Sequence, residues 1–327
     1  MTGRNRRLDF YKGMLIWGVV WGHTITAMLN GDVNDIGIHR IFRTYDMPFF
    51  MLISGFLFSF SMEKYNLGKL LLNKITTLAM PALLWALVFH PSSSPIGSFY
   101  FLWAVFWSSL VVGIGNTVIR NRVLQILLYS VLTVGLHFLP VPSGTIYNLP
   151  YLFPFFILGF YAWPLMEKVQ PYALVALLFV LGLCFWNTSY NIWNIGANVM
   201  NGKEVVIAIV FRAFLALSGI VTVRSLLDLL FDSLSRSSHK TEQWIEKFGR
   251  ETLAIYILQE FVVFQLVARG VQIVERHIGQ NVFSANHLLL GYFLAPLISL
   301  IMLVVFYQLV SWCKSKKYLR LLWGAKI

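Results

Sequence analysis

The segment RLDFYKGMLIWGVVWGHT, Arg7 to Thr24, is apolar enough to cross a membrane, yet it carries Asp9, Lys12 and His23. A helix turns about 100° per residue, so residues eleven apart return to nearly the same face. Lys12 and His23 therefore share one stripe, about 16 Å apart along the axis. Asp9 lies three residues before Lys12, where an ion pair forms readily. An imidazole accepts and returns protons near neutral pH, the work of a general base. Two readings of the stripe stand. Asp9 and Lys12 sit at the headgroups, Lys12 snorkelling, and His23 is a packed core residue. Alternatively the stripe is functional, because an ionisable group at the bilayer centre costs about 2.5–3.5 kcal/mol and needs a reason.

A carboxylate stands at matching depth. The second apolar run contains YDMPFFMLISGF, in which Pro48 suits a first helical turn and Asp46 suits its cap. Asp46 also lies fourteen residues before Phe60, as His23 lies fourteen after Asp9, which puts both about 21 Å above the inner boundary. A carboxylate beside an imidazole fixes its tautomer and raises its basicity. Ser54 and Gly55 form a small-residue site for close helix approach. A later run, FGRETLAIYILQEF, places Tyr256, Gln259 and Glu260 in the membrane, with Tyr256 and Gln259 on one face. For Gln259 the commoner role is a bond to a neighbouring helix. NLPYLFPFFILGFYAWP holds Pro150, Pro154 and Gly159, the ingredients of a bent helix that lines a cavity. Arg212 is a further buried cation.

The elements that must position these groups follow from composition. Of 327 residues, 57% are hydrophobic and 12% charged, against about 25% charged in soluble domains. Mean hydropathy is +0.68. Such a chain cannot fold around one water-facing core. It is expected to be an all-α polytopic membrane bundle forming one domain over residues 1–327. Ten spans are expected, near 10–29, 42–60, 72–90, 98–115, 123–140, 149–166, 171–187, 204–223, 252–269 and 288–312. No cleavable signal peptide, repeat or long linker is read; the longest polar stretch is Arg224 to Arg250. The net charge of +12 sits in loops and tails, which points to membrane orientation and anionic lipid and away from nucleic acid. With a cytoplasmic N-terminus, 19 Lys and Arg fall on the inner side and 5 on the outer, so both termini are expected to be cytoplasmic. Cys184 and Cys313 give no disulfide or metal pattern, and no metal site is expected.

Four stretches, in order, resemble the acyltransferase-3 family of integral membrane acyltransferases. LDFYKGMLIWGVVWGH matches its first-span pattern of a basic residue, ten others and His, with Asp just ahead. MPFFMLISGFLF is similar to its second-span motif, YLFPFFILGFYA to its Phe-Gly span, and GRETLAIYILQEF to its late Gly-x-x-Ser/Thr-Leu-x-Ile-Tyr motif. Many relatives have His where this chain has Asp46 and Gln259, and an Arg-rich entry to the third span where it has only Lys74. The resemblance implies an O-acetyltransferase of bacterial surface polysaccharide, multi-pass in the inner membrane. Acetyl-CoA is then a co-substrate from the cytoplasm, no cofactor is permanently bound, and the acceptor is a lipid-linked or periplasmic glycan. It implies His23 as the catalytic base; Asp46, the carboxylate at matching depth, is expected to orient it as the second catalytic residue, and Asp9, Lys12, Lys74, Ser54, Tyr256 and Gln259 are expected on the donor side. Whether His23 deprotonates the sugar directly or first takes the acetyl group stays open. A transporter or flippase for a polar lipid or solute is the alternative, although it predicts two related, broken-helix halves.

The basic asymmetry makes a topological prediction. A cysteine introduced at Ser143 is expected to react with an impermeant thiol reagent in intact spheroplasts, above the level of the parent protein. Labelling only after lysis would overturn the orientation.

Overall fold

The computed structural model describes residues 5–29, 33, 36–89, 99–138, 148–168, 173–186, 202–278, 286–316, 319 and 321–323. Among these the fold is all helical. The helices are α1 (Arg6–Met28), α2 (Gly37–Lys64), α3 (Leu67–Phe89), α4 (Tyr100–Val118), α5 (Arg122–Phe138) and α6 (Leu149–Lys168). They continue with α7 (Ala173–Cys184), α8 (Gly202–Ser237), α9 (His239–Arg250), α10 (Thr252–His277) and α11 (His287–Ser315). Turns of π-helix interrupt α3 at Ile75–Ala79, α10 at Val262–Val267 and α11 at Leu290–Leu294.

Ten of these helices fall on the ten expected spans, and seven are long and apolar enough to cross a membrane. α5 and α7 are shorter apolar helices. α1 is not among the seven, and its packing explains why. Of its 23 residues, 15 are buried, against α9, α10 and α11. A helix wrapped by protein on nearly every side has no need of lipid-grade hydropathy, so it tolerates Asp9, Lys12, His23 and Thr24. Two expectations need correcting, and one helix is added. α2 begins at Gly37, five residues before the expected start, so Asp46 is interior and caps nothing. α8 runs on to Ser237. The polar stretch after it holds a separate amphipathic helix, α9, whose Glu242, Glu246, Phe248 and Gly249 are buried. HPSSSPIG and residue 143 lie outside the described residues.

Two compact units are present. The first comprises residues 1–46 and 223–323, the second 47–222 and 324–327. Each is closed by reciprocal glycine contacts. In the first unit, a Cβ on Gly249 would stand 1.7 Å from the Asp9 carbonyl oxygen, and one on Gly13 would stand 2.1 Å from that of Ile245. The backbones of α1 and α9 thus touch at both ends of one crossing. In the second unit, a Cβ on Gly55 would meet the Phe156 carbonyl oxygen at 1.9 Å, and one on Gly159 that of Leu52 at 1.9 Å. Small residues of this kind let membrane helices gain van der Waals contact that lipid cannot replace. Arg212, in the second unit, is buried against aromatic rings: its guanidinium lies 4.3 Å from the Trp186 centroid and 5.8 Å from that of Tyr151.

Alanine at Gly13, Gly249, Gly55 or Gly159 should each cost about 1–3 kcal/mol or more, because the obstacle is backbone. Gly68 and Gly135 have nothing within 4 Å of a built Cβ, and alanine there should leave the melting temperature unchanged or raise it. Thermal denaturation in detergent checks the contrast; equal effects at both sets would refute the crossings.

Candidate active site

The site lies in the first unit and begins with its charges. Asn5 caps α1, its side chain accepting from the Leu8 amide at 3.2 Å. Lys12 Nζ stands 2.7 Å from Asp9 Oδ1, the expected pair, and Arg250 Nε lies 3.7 Å from Asp9 Oδ2. Arg250 also meets Glu246 at 3.1 Å, while Arg6 joins Glu242 at 2.8 Å and Glu246 at 2.9 Å. On the other side of α1, Arg7 reaches Asp228 at 3.1 Å and Asp232 at 2.8 Å, and the Tyr11 hydroxyl donates to Asp228. The start of α1 is therefore held between the end of α8 and all of α9 by carboxylates. Burial alone would push Glu242 up. Hydrogen bonds from His239 and Ser235 and the charge of Arg6 outweigh it and hold that carboxyl below its usual range.

Deeper in α1, His23 Nδ1 lies 2.7 Å from Gln259 Oε1 of α10. A carbonyl oxygen only accepts, so Nδ1 carries the hydrogen and Nε2 keeps its lone pair. The ring is held on another side by Phe264, with centroids 5.1 Å apart. Gln259 is fully buried, and its Nε2 has no hydrogen-bond partner. The partner on His23 Nδ1 is thus an amide, where the sequence placed the carboxylate of Asp46. Asp46 is buried in α2, three residues on from Arg43 and hence on the same helix face. Tyr256 is buried one turn before Gln259. Two of the expected donor-side residues belong to the second unit: Ser54 is half-buried, and Lys74 Nζ lies 5.2 Å from the Phe58 ring centroid.

One participant was missed. His39 lies within α2 and is buried, its Nε2 3.2 Å from Thr26 Oγ1 and 3.4 Å from Arg43 Nε. The signal was present. His39, Arg43 and Asp46 follow the i, i+4, i+7 spacing of one helix face, but the expected span began after His39. Gly18 and Gly22 of α1 let that face approach: Cβ atoms built there would stand 3.4 Å from Phe42 and 3.8 Å from His39. An apolar cavity of about 440 Å³ between α1, α9 and α11 is lined by Gly13, Trp17, Trp244, Phe248 and Leu303 among others. It holds none of these ionisable groups and offers nothing to transfer a proton. No group of three or more potential metal ligands occurs among the described residues.

The sequence pattern of a family described as an acyltransferase domain matches residues 5–221. The protein named Nodulation protein NolL in Mesorhizobium japonicum is 27% identical over 181 residues, covering 49% of this chain and 48% of that one. Its namesake in Sinorhizobium fredii is 28% identical over 184 residues, covering 49% and 50%. The chain spans about half the length of the curated relatives it matches. No solved structure matches it.

The charge network makes a prediction about stability. Because the Glu242 carboxyl is held below its usual value of 4.5, its contribution is complete above that pH and is lost as pH falls through the lower, folded value. Glu242→Gln should lower the melting temperature by several degrees at pH 7, and the gap should shrink in acid. A gap that does not change with pH would show that the charge is not what α9 uses.

Proposed function

The chain belongs to the acyltransferase-3 family of integral membrane acyltransferases, and from that premise we propose that it is an O-acetyltransferase of bacterial surface polysaccharide. The donor is acetyl-CoA from the cytoplasm. The acceptor is a hydroxyl of a lipid-linked or periplasmic glycan. The protein lies in the inner membrane with both termini cytoplasmic, so the Arg6 end of α1 faces the donor. The observation that carries this reading is the His23–Gln259 bond, which leaves a lone pair on Nε2 within a membrane helix.

In the proposed step Nε2 of His23 accepts the proton of the sugar hydroxyl. The freed oxygen attacks the thioester carbonyl, an ester bond forms, and the carbon–sulfur bond breaks. The proton held by His23 passes to the departing sulfur, and CoASH leaves. A sugar hydroxyl is a poor nucleophile at neutral pH, and this is the step that needs the base. Gln259 holds the tautomer. Lys12, about 16 Å from His23 along the same stripe, draws in the anionic end of the donor, with Asp9 orienting it and Arg250 beside both. Tyr256 is a further proposed donor contact, and Asp46 is retained as an electrostatic partner of the site. The bridged charges of Asp9, Lys12 and Arg250 also suit a switch of partners, since a phosphate competes with a carboxylate for the same cations.

General-base catalysis contributes about 10²–10⁴-fold, so His23→Ala should lose at least that much rate while the protein still inserts. Gln259→Leu should lower kcat more than Asp46→Asn does, because only Gln259 bonds the ring directly. Lys12→Ala should raise the apparent KM for acetyl-CoA, and Lys12→Arg should restore part of it. Release of CoASH by protein in nanodiscs, together with the mass of the glycan product, reads all three. Solute movement without thioester cleavage would overturn the assignment in favour of a transporter.

A further inference from the structure

A second group of polar residues lies beside His23 on the side away from Lys12. Thr26 is one turn along α1 from His23, on the same face. Its hydroxyl donates to the Gly22 carbonyl at 3.0 Å and lies 3.2 Å from His39 Nε2. Arg43 Nε is 3.4 Å from that same nitrogen, and the Gln259 bond holds α10 against His23. Glu260 follows Gln259 directly. Three helices therefore contribute to one cluster: Thr26 from α1, His39 and Arg43 from α2, and Glu260 from α10. The mechanism above uses none of the four.

Thr26, Arg43 and Glu260 are half-buried, as is His23, and His39 between Thr26 and Arg43 is buried. Ionisable groups within membrane helices are costly and mark routes for polar substrates. The buried Gln259 Nε2, with no hydrogen-bond partner, is a further donor at the edge of this route.

Resting on the acetyltransferase reading, we infer that Thr26, His39, Arg43 and Glu260 form the acceptor subsite and bind the ring hydroxyls of a neutral sugar beside His23. A carboxylate takes hydrogen bonds from two adjacent hydroxyls, a guanidinium donates to two oxygens, and both bonds are charge-assisted. The charge balance favours a neutral sugar. The subsite holds one guanidinium and one carboxylate, and the face of α2 that bears Arg43 adds one charge of each sign, Arg40 and Asp46, three residues to either side. An anionic sugar would gain no net attraction, and a neutral one meets both donors and acceptors for its hydroxyls.

The test uses the full chain in nanodiscs with acetyl-CoA and surface glycan from cells lacking the gene, split by anion exchange into neutral and acidic pools. CoASH release and acetyl incorporation are followed for each pool. The neutral pool should be the one acetylated. Glu260→Gln and Arg43→Gln should raise the apparent KM for that pool about tenfold or more, as loss of one charge-assisted bond implies, against less than a twofold change for acetyl-CoA. Glu260→Asp and Thr26→Val, with melting temperatures measured beside them, serve if the first variants fold poorly, and both should shift the same KM. Acetylation of the acidic pool alone, or an unchanged glycan KM in folded variants, would overturn the subsite. Absence of His23-dependent CoASH release from the wild-type protein would instead overturn the reading on which it rests.

Discussion

Direct backbone contact between α1 and α9 is the constraint on which the rest of the first unit depends. Gly249 lies against the carbonyl of Asp9, and Gly13 against that of Ile245. Any side chain at either glycine would push the helices apart. Because they touch there, Arg250 arrives beside Asp9, and Asp9 is bridged between Arg250 and Lys12. α10 follows α9 after a single residue, so the same contact sets the height at which Gln259 meets His23. Small residues at a crossing therefore decide where a proton acceptor stands about 16 Å away along α1.

The four motif stretches combine two by two. The first and last meet through Asp9, Gly13 and Gly249, and they carry the imidazole and its amide partner. The second and third meet through Gly55 and Gly159, where the α2 and α6 backbones touch in the second unit. The aromatic residues of those middle stretches then pack across the crossing, as Phe58 does against Phe156 with tilted rings at a centroid distance of 5.6 Å. Glycine supplies close approach and the rings around it supply contact area, a division of labour suited to a solvent in which burial of apolar surface gains little.

Cations in the two units are stabilised by different means. At the start of α1 they meet the buried carboxylates of Asp9, Glu242 and Glu246, while the Arg6 and Arg250 side chains stay partly exposed. As a network around Asp9, Glu242 and Glu246 they fix the angle of α9. Within the second unit Arg212 meets ring faces, which attract a cation without bringing a second buried charge.

Residue types and spacing determined the membrane class, the placement of ten helical segments, the shared stripe of Lys12 and His23 and the pairing of Asp9 with Lys12. All are local: they depend on hydropathy over about twenty residues or on positions within one helix. Only the tertiary structure decided which side chain bonds His23, because Gln259 lies 236 residues away and spacing within a helix says nothing of its neighbours. A cap was open to Asp46, beside its expected role as the partner of His23, because α2 was expected to start late; polar His39, Arg40 and Arg43 lowered the local hydropathy, although protein packing around the Gly18–Gly22 face buries His39 and needs no lipid-grade sequence. For the same reason α1, the most enclosed helix of its unit, resembles a membrane span less than α11 does. Hydropathy reports contact with lipid, and the residues of the candidate site are those whose surroundings are protein.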